Sequence, residues 1–185
     1  MRWVDCVNIF ERVAKDHNVI FSVDTHPRKL GLPKTYKVDG VRLDKMPCSC
    51  ALLIPIGFKI FTTDKVKKAQ IRRTLPKYVV FIPRFYKIDY RVASFFHEIA
   101  HIYTKRRKGM LNVQLEFNTW IKGFELMKKY HVEVTDEMKW HAAQCLKGYY
   151  RGHYDIIETM RDFIPVKDLP HKEAGKWILK HSMIK

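Results

Sequence analysis

The chain has 185 residues, 46% of them hydrophobic and 13% aromatic, enough to bury a sizeable core without disulfide staples. With no low-complexity run and no apolar stretch near ~18 residues, it reads neither as disordered nor as a membrane-spanning helix. Its 35 Lys and Arg against 19 Asp and Glu leave +16, a field that steers acidic proteins or nucleic acid but encodes no base-sequence reading.

The opening residues, Met1-Arg2-Trp3-Val4-Asp5-Cys6, carry an early acid and no apolar run, so they do not read as a signal peptide. Trp3, Val7, Phe10 and Ala14, flanked by Val4 and Val13, recur at helical spacing and predict a helix over about 2–16. Val19-Ile20-Phe21-Ser22-Val23 predicts a short strand, ended by His26-Pro27. Residues 27–50 hold Pro27, Gly31, Pro33, Gly40 and Pro47 and read as irregular, partly extended chain. Cys48-Ser49-Cys50 is the one close cysteine pair, and its spacing is poor for a zinc knuckle. With Cys6 and Cys145 it reads as free thiols in a reducing, cytoplasmic setting. Residues 51–55 and 57–62 predict strands around a turn, and Tyr78-Val79-Val80-Phe81-Ile82 a further strand. The edge of such a small sheet offers an extended peptide a place to add as another strand.

His97-Glu98-Ile99-Ala100-His101 then spells H-E-x-x-H. On a helix, His97 and His101 lie one turn and about 40° apart, so both imidazoles can close on one zinc ion at about 2.0–2.1 Å. Glu98, about 100° from His97, borders such an ion without entering its first shell and can take a proton from an activated water. Val92, Ala93, Phe95, Phe96, Ile99 and Ala100 make the segment apolar nearly all round, which marks an internal helix. Two imidazoles and a carboxylate are costly there unless a metal or neighbouring hydrogen bonds satisfy them. Lys105-Arg106-Arg107-Lys108-Gly109 reads as a basic last turn and a glycine stop.

Catalytic zinc takes three protein ligands and keeps a fourth position for water, so the following segment must supply one more. Val113, Phe117, Trp120, Ile121 and Phe124 predict a helix over about 112–130. Glu116 shares a face with Trp120, Gly123 and Met127, beside the apolar stripe. Glu125 falls about 180° away, among Lys122, Lys128 and Lys129. Glu116 is therefore the inward carboxylate and the expected third ligand, with Gly123 permitting close approach of the zinc helix. His131 is its rival.

A strand at 78–82, a helix entered through Arg91 that carries HEIAH, and a second helix offering Glu116 resemble small gluzincin-like metallopeptidases of phages and mobile elements, the ImmA/IrrE type included. The resemblance spans residues 78–130. It implies that His97, His101 and Glu116 bind zinc, that Glu98 is the catalytic base, and that the substrate is a protein, with a DNA-associated regulator as the analogue. It also implies the host cytoplasm as the site of action if the chain is phage-encoded.

Thr135 reads as a helix N-cap with Asp136 and Glu137 in the first turn, and Met138, Ala142, Cys145, Leu146 and Tyr149 continue the helix to about Tyr150. A last helix starts at Asp168, with the stripe Ala174, Trp177, Ile178 and His181. The expected fold is α+β: a small mixed or antiparallel sheet packed on a zinc-binding HExxH helix, with additional C-terminal helices. It forms one domain over 1–185, with an N-terminal helix and irregular segment (1–50), a strand-rich part with the zinc helices (51–130), and C-terminal helices (131–185). The expected activity is zinc-dependent hydrolysis of a peptide bond in a protein or peptide substrate. Tyr103, Tyr130 and His131 are the available donors to an oxyanion, and the sequence does not choose among them. The alternative is a non-catalytic zinc-containing protein that binds nucleic acid or an acidic protein through its basic surface. Neither reading involves a membrane.

Overall fold

The computed structural model describes residues 2–23, 37–38, 41–42, 52–55, 77–82, 87–108, 110–158 and 172–182. By internal contacts the chain forms two compact units, Met1–Ile99 and Ala100–Lys185. About two thirds of the described residues are helical, and the rest include a small mixed sheet, an α+β composition. Among the described residues no helix is long and apolar enough to cross a membrane.

The first unit opens with α1 (Trp3–Asp16). Asp5 accepts hydrogen bonds from the Arg2 backbone N–H at 3.2 Å and from its guanidinium at 3.1 Å, satisfying a donor that the helix start leaves open. The helix buries Cys6, Phe10, Val13 and Ala14, while Val4 is exposed, so its inward face is turned slightly from the predicted Trp3–Val7 line. Burial pushes the Cys6 thiol above its ordinary pKa, in keeping with a packed residue rather than a reactive one. Asn18 exits the helix at φ 51°, a left-handed conformation its short amide tolerates, and the chain turns directly into β1 (Val19–Val23).

β1 pairs in parallel with β5 (Tyr78–Ile82), from Val19 opposite Tyr78 to Val23 opposite Ile82. On the other side β5 pairs antiparallel with β4 (Leu52–Pro55). The unbroken apolar run of β5 fits this: Val79, Val80, Phe81 and Ile82 are all buried, as a central strand requires. The strand beside the HEIAH helix in sequence is thus hydrogen-bonded on both sides, and among the described residues the sheet edges are β1 and β4. Within 27–50, read as irregular, β2 (Lys37–Val38) and β3 (Val41–Arg42) form an antiparallel pair. Asp39-Gly40 between them is a hairpin signal that the proline-rich surroundings masked. The strand expected at 57–62 lies outside the described residues.

The helix α2 (Ile88–Ala100) packs on this layer through aromatic rings. Phe95 stacks on Phe10 with centroids 4.1 Å apart, and Phe21 of β1 meets both edge-on at 5.9 Å. Arg91, expected to open the helix, lies one turn inside it with its guanidinium over Trp3 at 4.6 Å.

The second unit is built from α3 (Asn112–Lys129), α4 (Asp136–Glu158) and α5 (Lys172–Ser182). Trp177 of α5 stacks on Phe124 at 6.1 Å and meets Phe117 edge-on at the same distance, while Trp120 points its ring at His141 of α4. The predicted cap is present: the Met138 N–H donates to Thr135 Oγ1 at 3.3 Å. α4 runs past the predicted end near Tyr150, because Gly148 and Gly152 weaken a helix by only about 1 kcal/mol each and need not stop it. Asp168, the expected start of α5, lies outside the described residues.

Candidate metal centre

α2 presents HEIAH where its apolar sequence predicts, in a buried stretch. Every residue from Val92 to Ala100 is buried, and His97 and Glu98 are each only 7% exposed. Phe95 and His97 are separated by about 200° around the helix, so the ring cluster that holds Phe95 fixes the opposite direction for His97. His97 is engaged by neighbours as a residue, while its buried Nδ1 atom makes no hydrogen bond of its own.

The helix ends earlier than predicted. Its last residue is Ala100, whose carbonyl accepts from the N–H groups of both Tyr103 and Thr104, at 2.9 and 3.1 Å, and also from the Thr104 hydroxyl at 3.2 Å. Lys105, Arg106, Arg107 and Lys108 consequently lie in exposed connecting chain rather than in a last helical turn.

His101 follows the last helical residue, one turn from His97, and this local spacing brings the two imidazoles together. Glu116, in the second turn of α3, is the third member. Its Oε2 lies 3.7 Å from His101 Nε2, with side chains 14% and 25% exposed. One ligand atom from each of His97, His101 and Glu116 lies within 4.8 Å of the others, so this group could hold a metal ion. Donors bound at about 2.0–2.1 Å in a tetrahedral arrangement stand roughly 3.3 Å apart, so the His101–Glu116 pair at 3.7 Å is near that spacing, while the group as a whole, spread within 4.8 Å, closes further to hold an ion. Two imidazoles and one carboxylate suit a borderline ion such as zinc and, by donor type alone, iron(II) as well. Glu125, assigned outward, is exposed and paired with Lys122 at 2.8 Å.

His131, the rival ligand, is exposed and has a different role. It sits at φ 58° just past the C-cap Tyr130, with its N–H bonded to the Lys128 carbonyl at 3.0 Å. The next N–H, of Val132, reaches back to the Met127 carbonyl at 2.9 Å. This is the two-bond C-terminal closure of a helix, completed by buried Val132 and Met127. Tyr130 is buried, and Tyr103 is about half exposed. Partial burial raises the Tyr103 phenol above its ordinary pKa, with Lys122 opposing, so it remains a protonated donor at neutral pH.

The sequence reading missed one pair. Thr119 is fully buried; its hydroxyl donates to the Leu115 carbonyl at 2.8 Å and lies 2.8 Å from the Thr104 hydroxyl. His101 and Thr104 are three residues apart, as are Glu116 and Thr119. The two contacts, His101 with Glu116 and Thr104 with Thr119, therefore run in step along α3. A polar residue amid the buried α3 positions was the available signal. Comparison of the chain with protein-family models, with curated proteins and with solved structures found no match.

Proposed function

We propose that the protein is a zinc-dependent metallopeptidase that hydrolyses a peptide bond in a protein or peptide substrate. The observation that carries this reading is the convergence of His97, His101 and Glu116, with Glu98 buried next to His97 in the same helix. The resemblance of residues 78–130 to gluzincin-like phage and mobile-element metallopeptidases supports it. Glu98 also favours zinc over iron(II), since a carboxylate placed as a base serves hydrolysis rather than redox chemistry.

A zinc ion held by His97, His101 and Glu116 would supply Lewis acidity, polarising the scissile carbonyl and acidifying a water. The chain's own part is proton movement and orientation. Glu98 Oε takes a proton from the attacking water and passes it to the nitrogen of the leaving amine. The buried surroundings of Glu98 keep bulk water from competing for that proton. His101 and Glu116 are held in place by the turn and helix that carry them. Free Cys6 and Cys145 are in keeping with a reducing compartment, which makes the cytoplasm part of this reading.

Glu98→Gln is expected to keep stoichiometric zinc yet lose about 10²–10⁴-fold in hydrolysis of an unfolded protein substrate, the contribution of a general base. His97→Ala is expected to lose both. Metal analysis of the purified protein, reconstituted with zinc and separately with iron(II), checks the ion. Undiminished activity of Glu98→Gln removes the base assignment. Zinc retained without hydrolysis of any substrate favours the second reading, a non-catalytic zinc-containing protein that binds through its basic surface.

A further inference from the structure

The basic segment beyond the metal group has a defined position. Thr104 is anchored to α3 through Thr119, and the next four residues, Lys105, Arg106, Arg107 and Lys108, are all exposed. None of them forms an ion pair with another described residue. The half-buried Lys122 and Lys139 of the same unit pair with Glu125 at 2.8 Å and with Asp136 at 2.7 Å, whereas the exposed Lys128, Lys129, Lys176 and Lys180 are, like this segment, without an ion pair among the described residues, so what sets Lys105–Lys108 apart is four adjacent cations next to the metal group. The Met110 N–H returns to the Arg107 carbonyl at 3.0 Å, and α3 starts at Asn112 with no acid in its first turn. The α3 start therefore adds the positive end of a helix and no compensating carboxylate.

We infer that Lys105–Lys108 is the substrate-selecting surface of the metal site, and that it takes acidic side chains carried on an extended peptide. This rests on the peptidase reading, because it places the cations relative to a cleaved bond. Four residues of chain span at most about 14 Å, which bounds the distance from His101 to Lys105. An extended peptide covers that distance in about four residues at about 3.3 Å each. A run of Asp or Glu starting within about four residues of the scissile bond meets the segment, and alternate side chains of a strand match neighbouring cations. Four adjacent cations on one short connection fit such a run better than a nucleic-acid duplex, whose phosphates need cations spread along a longer track.

The test uses the full chain carrying Glu98→Gln, so that bound peptide is not cut. Fluorescence anisotropy is read at about 0.1 M salt, where the screening length is about 10 Å. The probes are a labelled extended peptide with a Glu run, the same peptide with Gln replacing Glu, and a short labelled DNA duplex. Lys105→Gln/Arg106→Gln/Arg107→Gln/Lys108→Gln is compared with Lys128→Gln/Lys129→Gln/Lys176→Gln/Lys180→Gln, which removes the same charge from exposed positions elsewhere in the unit. The Glu peptide is expected to bind at least about tenfold tighter than the Gln peptide. The first variant should remove that preference and the second should change it less than about twofold, given that exposed ion pairs contribute a few-fold each. Equal losses in the two variants overturn the proposal, since net charge alone then explains the binding. Tighter binding of the duplex, lost with Lys105–Lys108, overturns it in favour of nucleic acid. Zinc content is measured on the same samples. Zinc present with no acid preference defeats this inference and leaves the peptidase reading intact, whereas acid preference persisting without zinc supports the surface and defeats the peptidase reading.

Discussion

Glu116 and His131 both qualified on residue type as the third ligand, and backbone conformation separates them. His131 occupies a left-handed position at φ 58° that closes α3, and a side chain there costs about 1 kcal/mol relative to glycine. His131→Gly is therefore expected to raise the unfolding free energy by about 0.5–1 kcal/mol in urea titration, with zinc affinity unchanged. A large drop in zinc affinity would return His131 to the ligand set. This distinction was not legible in the sequence. Helical spacing predicted the inward face of Glu116 and the outward face of Glu125, both as observed. It said nothing about whether the residue after Tyr130 continues the helix or caps it, because that depends on hydrogen bonds to Lys128 and Met127 once the helix exists.

Between elements, the relevant object is the pair of contacts joining the 101–104 turn to α3. Thr119 has no exposed surface, and its hydroxyl neighbours are Leu115 and Thr104. Thr119→Val keeps the shape and removes both interactions. It is expected to cost about 1–3 kcal/mol in stability. Zinc affinity, measured by competition with a chelator, should fall by about tenfold, in the range for residues that position ligands. Thr119→Ser should restore most of the affinity. If Thr119→Val loses stability while binding zinc as tightly as the parent, the pair is structural only. The element boundaries show the same division between local and non-local physics. β1 and β5 match their predicted spans because β-rich apolar runs end at clear breakers, and the Thr135 cap was readable from the acids that follow it. The end of α2 lies at Ala100 rather than in the Lys105–Gly109 region, and the chain beyond it is tied to α3 by the bond between Thr104 and Thr119. A basic run followed by glycine describes a helix end in general but not the tertiary bond that fixes the path of the chain here.

For the whole molecule, metal binding and folding are linked, since a ligand that binds only the folded chain stabilises it by mass action. Zinc at about 100 times its dissociation constant should add about 2.7 kcal/mol, seen as a rise in Tm that is absent in His101→Ala. An unchanged Tm in the parent protein, with zinc shown to be bound, would mean that the unfolded chain binds it equally well. The sequence by itself determined what neighbours along one chain impose: the one-turn spacing of His97 and His101, the buried run of α2, the inward side of α3 and the strong positive charge. Only the tertiary structure decided that Glu116 meets His101, that His131 closes α3, and that Thr104 and Thr119 hold the two segments in step. Periodicity specifies which side of an element is apolar, whereas packing against a distant segment specifies which partner that side receives.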